Sequence, residues 1–347
     1  MLNRKTIVNA SNIHSGGGSV LLEDFIRSAS EFDQKFLFLV DERFKFEKFK
    51  SKNLTFFPIK VKDRLKAHKL IEKNCNANDA ILYLGNIPPF KKHSVHTSLY
   101  LQNRMLLEKI SLSGYPLKLR IRLAIEKLIF FIGLNNADCI IVQNHSMLDL
   151  LKKFPRKYIG KIYVWPFKGM EEVSRLSIVI DEKEPDSFIY IAGPDPHKNH
   201  RKLLEAWKLL KKENIEPLLK LTIDDDFFKK ECHFLMDFIN NNQLNVKVIP
   251  HLDRQDIFKE IKNSSALIYP STFESFGLPL VEASMVEVPI IASELDFVRD
   301  ILDPSESFDP NSSKSISRAV KRFLVLDDKK AEILDPKKFL ENITCVK

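Results

Sequence analysis

Three observations predict an α/β chain built from two doubly wound, parallel-stranded domains. The sequence has 347 residues, about two domains at roughly 150 residues each. Short β-branched and aromatic runs alternate along it with stretches of helical periodicity. The runs also fall into two series, parted by a charged, Ser-containing segment with Pro166 and Pro185 near its ends.

The first series comprises residues 6–10, 36–40, 80–84, 98–101, 139–142 and 161–165. The second comprises 188–192, 218–223, 246–249, 266–269 and 290–292, the last entered from Pro289. Runs this short and nearly continuously apolar read as strands covered on both faces, the signature of βαβ units. The expected organisation is an amino-terminal Rossmann-like domain over 1–166, an inter-domain connection over 167–187 and a carboxy-terminal Rossmann-like domain over 188–347. A hinge there would let the domains close on a central cleft.

Composition narrows the function classes. Hydrophobic residues at 44% and charged residues at 29% suit a chain with real cores and exclude a disordered tail. The apolar cluster at 128–134 is far shorter than the ~18 residues of a membrane span. Residues 1–5 are followed by a strand and a Gly-rich loop, unlike a signal peptide, so a cytoplasmic protein is expected. Cys75, Cys139, Cys232 and Cys345 are 64, 93 and 113 positions apart, which yields neither a disulfide framework nor a metal knuckle.

The net charge of +8 is uneven. Residues 1–166 carry 28 basic against 14 acidic residues, and 167–347 carry 26 against 32. Such asymmetry points to an anionic membrane surface or phosphate partner for the first half, although a solvated lysine-rich face reads the same way. Nucleic acid is not expected, since no helix-turn-helix, RNA-binding or zinc signature is present.

In open α/β sheets ligands bind beyond the carboxyl ends of the strands, and three loops there carry chemistry. The first is His14-Ser15-Gly16-Gly17-Gly18-Ser19, ahead of a helix expected over 20–28. Gly17 and Gly18 would let backbone N–H groups approach an anion, though a bare tight turn has the same composition. The second is Gly193-Pro194-Asp195-Pro196-His197-Lys198-Asn199. Lys198 at a helix entrance can neutralise a phosphate, unless it simply faces solvent. The third is Ser271-Thr272-Phe273-Glu274-Ser275-Phe276-Gly277-Leu278-Pro279-Leu280-Val281-Glu282. Pro279 suits the first turn of a helix. Glu274 in the loop and Glu282 at about the first turn would bracket an N-terminus able to hold a diphosphate, with carboxylates free to accept sugar hydroxyls.

Glu274 and Glu282 resemble the E-x7-E element of retaining, nucleotide-sugar-dependent glycosyltransferases of family 4, which have the GT-B architecture of two Rossmann-like domains facing a cleft. Ala137-Asp138-Cys139-Ile140-Ile141-Val142-Gln143-Asn144 resembles the strand closing that family's first domain, and Gly193 with Lys198-Asn199 resembles its phosphate loop. The resemblance implies that Glu274 contacts the transferred sugar, Glu282 the ribose and Lys198 the diphosphate. It also implies help from the N–H groups of Phe276, Gly277 and Leu278 beside Ser275. Gln102-Asn103-Arg104 occupies the loop where the family commonly has a His that reaches the donor sugar, which leaves Gln102 and Asn103 as the expected acceptor-side residues, and Pro194 stands where the family often has a basic residue.

The implied reaction moves a sugar from a nucleoside diphosphate sugar to an acceptor hydroxyl, either a saccharide or a lipid-linked acceptor at the inner membrane face. No cofactor or metal is expected, because Asp224-Asp225-Asp226 reads as a solvated turn. A nucleotide-sugar epimerase and a non-catalytic nucleotide-sugar binder remain as alternatives; a dehydrogenase lacks its fingerprint.

Overall fold

The computed structural model describes residues 4–14, 16–63, 66–167, 184–223, 228–249, 252, 254–326, 338 and 343. Most of the 167–187 connection, Asp224-Asp225-Asp226, Cys345 and most of the tail beyond Leu326 lie outside the described residues.

Two parallel sheets organise the chain, each with helices on both faces in a Rossmann-like arrangement. The amino-terminal sheet contains β1 (Lys5–Ala10), β2 (Lys35–Asp41), β3 (Leu54–Ile59), β4 (Ala80–Tyr83), β5 (Thr97–Leu101), β6 (Cys139–Val142) and β7 (Lys161–Val164). Their order is β3-β2-β1-β4-β5-β6-β7. The carboxy-terminal sheet contains β8 (Ser187–Tyr190), β9 (Leu218–Leu221), β10 (Val246–Val248), β11 (Ala266–Tyr269), β12 (Ile290–Ser293) and β13 (Glu306–Phe308). Their order is β10-β9-β8-β11-β12-β13. The strand order reverses between β1 and β4 and again between β8 and β11. Those are the switch points where loops diverge and leave a crevice.

The helices are α1 (Gly16–Ser30), α2 (Lys66–Asn74), α3 (Leu117–Gly133), α4 (His145–Lys152), α5 (His200–Lys212), α6 (Lys229–Asn241), α7 (Arg254–Lys262), α8 (Leu278–Met285), α9 (Asp296–Arg299) and α10 (Ser313–Phe323). Among the described residues, none is long and apolar enough to cross a membrane. Buried clusters cover both faces of the first sheet and sandwich the second, as runs such as the wholly buried Ala-Leu-Ile-Tyr of β11 require. Phe36, Phe38, Phe56 and Phe46 stack successively at 6.1, 5.3 and 5.3 Å. Phe36 and Phe38 are buried and Phe46 and Phe56 half-buried; full burial of such a ring contributes roughly 1.5–3 kcal/mol.

Two strands depart from the sequence expectation. β3 is a half-exposed edge strand that carries Pro58, a residue tolerated only at such edges, so it lacks the apolar run of a central strand. β13 has three residues and only Phe308 buried. The first helix also begins earlier than expected: Gly16, Gly17 and Gly18 form its opening turn, not a loop before it.

Candidate functional site

The crevice is lined by the loops that follow β1, β5, β6, β8 and β11. Beyond β8, Pro196–Lys198 forms one tight turn, and Asn199 then adopts a left-handed conformation at φ 62° before α5. Asn tolerates that region better than most residues. Its Nδ2 donates to Pro270 O at 3.1 Å and Pro310 O at 2.7 Å. Asn199, expected to bind the donor, therefore directs its amide N–H groups into loop structure. Gly193 lies half-buried at the start of the same loop.

The β8 and β11 loops are bonded together. Thr272 N donates to His197 O at 2.9 Å. Tyr190 Oη donates to Lys198 O at 2.8 Å and lies 2.9 Å from Ser271 Oγ. This lacing brings Lys198 Nζ to 2.5 Å from Glu274 Oε1, with side chains only 18% and 11% exposed. Tyr269 Oη donates to the same carboxylate oxygen at 3.0 Å. Lys198 is thus a paired cation in the crevice wall, and the solvent-facing alternative is not realised.

The electrostatics follow from burial and neighbours. Burial pushes the Glu274 carboxyl up, but the adjacent Lys198 charge and hydrogen bond outweigh it and hold Glu274 below the ordinary carboxylate value. Burial, reinforced by Glu274, raises Tyr190 and Tyr269 well above an ordinary phenol. Both therefore stay neutral donors. Burial lowers the His197 imidazole to about 4, so it is uncharged at neutral pH, and its Nδ1 shares a 2.7 Å hydrogen bond with Tyr115 Oη.

Gly277 caps the start of α8 at φ 75°, a left-handed conformation that costs other residues about 1–2 kcal/mol. The helix presents its first N–H groups beside the acid loop. Glu282 is the fifth residue of α8, in its second turn and buried; the expected first-turn position is corrected, because the helix begins with Leu278. Phe276 is buried and Leu278 half-buried.

The amino-terminal half forms the opposite wall. A Cβ on Gly17 would stand 3.1 Å from Leu278 Cδ1, and one on Gly18 would stand 3.5 Å from Gln102 Oε1. The opening turn of α1 thus lies against the start of α8, which side chains at Gly17 would hinder. Gln102 Nε2 donates to Leu84 O at 3.0 Å, and Asn103 Oδ1 accepts from Met105 N at 3.0 Å as a cap. The two residues expected on the acceptor side mainly shape their own loop, with the Gln102 carbonyl facing Gly18.

Sequence reasoning missed the groups that join the halves. Arg104 N donates to Ser275 Oγ at 2.9 Å, and Arg104 Nη1 to Glu274 O at 3.3 Å. Asn144 Nδ2 donates to Ser275 O at 2.7 Å while its Oδ1 caps α4. Asn144 was legible as a helix cap after an apolar strand; Tyr115 had no local signal. Further out, Ser146 N donates to Asp300 Oδ2 at 2.7 Å, and Arg254 Nη2 pairs with Asp24 Oδ2 at 2.9 Å. The result is a narrow cleft with a carboxylate, an ammonium, neutral phenols and helix N-termini, a set able to hold an anion and sugar hydroxyls side by side.

Comparison with known proteins finds similarity in sequence over the carboxy-terminal half and in fold over most of the chain. Residues 174–338 match the family described as "Glycosyl transferases group 1". Over 170 residues, 48% of this chain, it is 26% identical to the serotype-specific mannosyltransferase WbdA of Escherichia coli. The matched region spans about a fifth of that relative's length (20%). Sucrose-phosphate synthase from Thermosynechococcus elongatus superposes with a TM-score of 0.68 at 13% identity, covering 93% of this chain and 90% of the other. The Anabaena protein HepE, crystallised with UDP and glucose, superposes with a TM-score of 0.63 at 14% identity, covering 92% and 89%.

Proposed function

We propose that the chain is a retaining glycosyltransferase of the family 4 type. It moves a sugar from a nucleoside diphosphate sugar to the hydroxyl of a saccharide or lipid-linked acceptor in surface polysaccharide assembly, on the cytoplasmic side of an anionic membrane. The observation that carries this reading is the Lys198–Glu274 pair at the second switch point, faced across the cleft by Gly17 in the opening turn of α1, which lies against Leu278 at the start of α8. The family match over 174–338 includes both residues.

In the reaction the bond between the anomeric carbon and the diphosphate oxygen breaks, and the acceptor oxygen bonds to the same face of that carbon while its proton passes to the departing diphosphate. Negative charge grows on the departing diphosphate. Lys198 and the N–H groups of Phe276, Gly277 and Leu278 stabilise it, and fixed donors of this sort are worth about 10²–10³ in turnover each. Lys198 must exchange part of its Glu274 contact for the phosphate, which frees the Glu274 carboxylate for the transferred sugar. Glu282 receives the ribose, and Gly193 and the α1 glycines leave room for backbone to approach the diphosphate. Gln102 and Asn103 shape the acceptor side. This reading needs no metal or cofactor.

WbdA, similar in sequence over 170 residues, is a mannosyltransferase, so mannose nucleotides lead the test. Thermal melting with UDP, GDP and their hexose conjugates should reveal one nucleotide class that stabilises the chain, by about 2.7 kcal/mol at one hundred times its Kd. Transfer to acceptor should follow from that donor. No shift with any nucleotide, or isomerisation of the donor without transfer, would defeat the proposal.

A further inference from the structure

One helix is apolar on two opposite sides. The inward side of α3 buries Leu123, Phe130 and Gly133. On the outward side Leu117, Ile121, Ile125, Leu128 and Ile132 are 53–66% exposed. Their spacings of four, four, three and four residues place them on one stripe, roughly 22 Å long at 1.5 Å per residue. Ile159, whose N–H donates to Asn135 Oδ1 just past the helix, extends the stripe with another exposed side chain. Large contiguous apolar patches are unusual on soluble monomers and mark a surface that meets something.

Charge identifies what it meets. Along α3 stand Lys118, Arg120, Arg122 and Lys127 against the single acid Glu126, which is paired with Arg122 at 2.8 Å. Near the carboxyl end Arg156 sits 5.4 Å from the centre of the Phe131 ring. An apolar stripe bordered by cations suits the plane of an anionic bilayer, with aliphatic side chains among the acyl chains and cations at the headgroups. A second copy fits less well, because a two-fold interface sets each patch against itself and brings like charges together.

We propose that the outward face of α3 docks the protein on an anionic lipid surface, and that this docking holds the cleft beside the bilayer. The inference rests on the transferase reading only for the identity of the acceptor, which the docked cleft would meet at its headgroup. The helix starts at the cleft rim: Tyr115, two residues before Leu117, bonds His197. Gly114 also lies against Pro196, where a Cβ would stand 3.3 Å from Cγ. A lipid-borne phosphate and sugar arriving in the membrane plane would therefore reach the Lys198 side of the cleft without leaving the interface.

The test is flotation of the full chain with vesicles of phosphatidylcholine alone and of phosphatidylcholine with one third phosphatidylglycerol, at low and high salt. Binding to the anionic vesicles, weakened by salt, is expected. Ile125→Glu/Leu128→Glu should lower it by at least about a hundredfold, since burial of one such side chain is worth about tenfold. Lys118→Glu/Arg120→Glu, which leaves every apolar contact intact, should lower it by about tenfold or more at low salt. All variants should keep their melting temperature and any nucleotide-induced shift. Wild type that ignores anionic vesicles, or Ile125→Glu/Leu128→Glu that floats like wild type, would overturn the proposal. So would light scattering that finds a dimer which this variant turns into a monomer. A missing nucleotide shift in the wild type would defeat the donor reading and leave the flotation result standing.

Discussion

Replacing Lys198 by Met keeps the unbranched stem of the side chain, one atom shorter, and removes its charge. Lys198 and Glu274 are 18% and 11% exposed and 2.5 Å apart, so the carboxylate left behind gains little water. Breaking a buried pair from one side costs about 3–5 kcal/mol. The tyrosine donor from Tyr269 remains, which argues for the lower end, about 3 kcal/mol. At about 2–4 °C per kcal/mol for domains of this size, the melting temperature should fall by about 6–12 °C. Lys198→Met/Glu274→Gln removes the stranded charge and should recover most of that loss, with a coupling of about 2 kcal/mol in the double-mutant cycle. Melting curves of the four proteins at pH 7 provide the measurement. A Lys198→Met protein that melts with the wild type, or a double variant no better than the single, would refute the claim that the two groups form one buried unit. Turnover should collapse in every member of the cycle but the wild type, since both residues are assigned to the reaction.

Lys220 offers a contrast: it is 2% exposed, but its partners Glu184 and Glu260 are 43% and 27% exposed and can turn to water. Lys220→Met should therefore melt within about 1 kcal/mol of wild type, and a loss as large as that of Lys198→Met would contradict the reasoning. Gly277→Ala should cost about 1–2 kcal/mol through its positive φ; unchanged melting would show that the turn relaxes. Burial lowers His93 and His197 to about 4 and His200 to about 3, against an unfolded value of about 6.5. The unfolded chain then binds more protons, so stability is full above about pH 6.5 and is lost as pH falls toward 4, at up to about 1.4 kcal/mol per pH unit for each histidine. Melting temperatures that stay level between pH 7 and pH 5 would exclude this.

The central strands were legible because Cys139–Val142 and Ala266–Tyr269 are apolar on both faces, whereas β3 and β13 sit at edges where that pattern fades. The loops that form the site were legible for a related reason: they follow legible strands and carry Gly, Pro and charge. Their internal economy was not. Lys198 finds Glu274 across 76 positions, and Arg104 reaches Ser275 across 171, separations at which sequence spacing is silent. The glycines of α1 misled because Gly is a poor helix residue; the absence of a side chain at Gly17, where Leu278 approaches, overrides that preference.

Ser275 has its hydroxyl claimed by Arg104 and its carbonyl by Asn144, both from the far wall. The loop backbone beside Glu274 is thus moored from the other half, while the carboxylate itself is held within its own half by Lys198 and Tyr269. Were the walls to part, both bonds on Ser275 would break together while Lys198 and Tyr269 travelled with the acid, so the loop backbone and not the charge pair would register the opening.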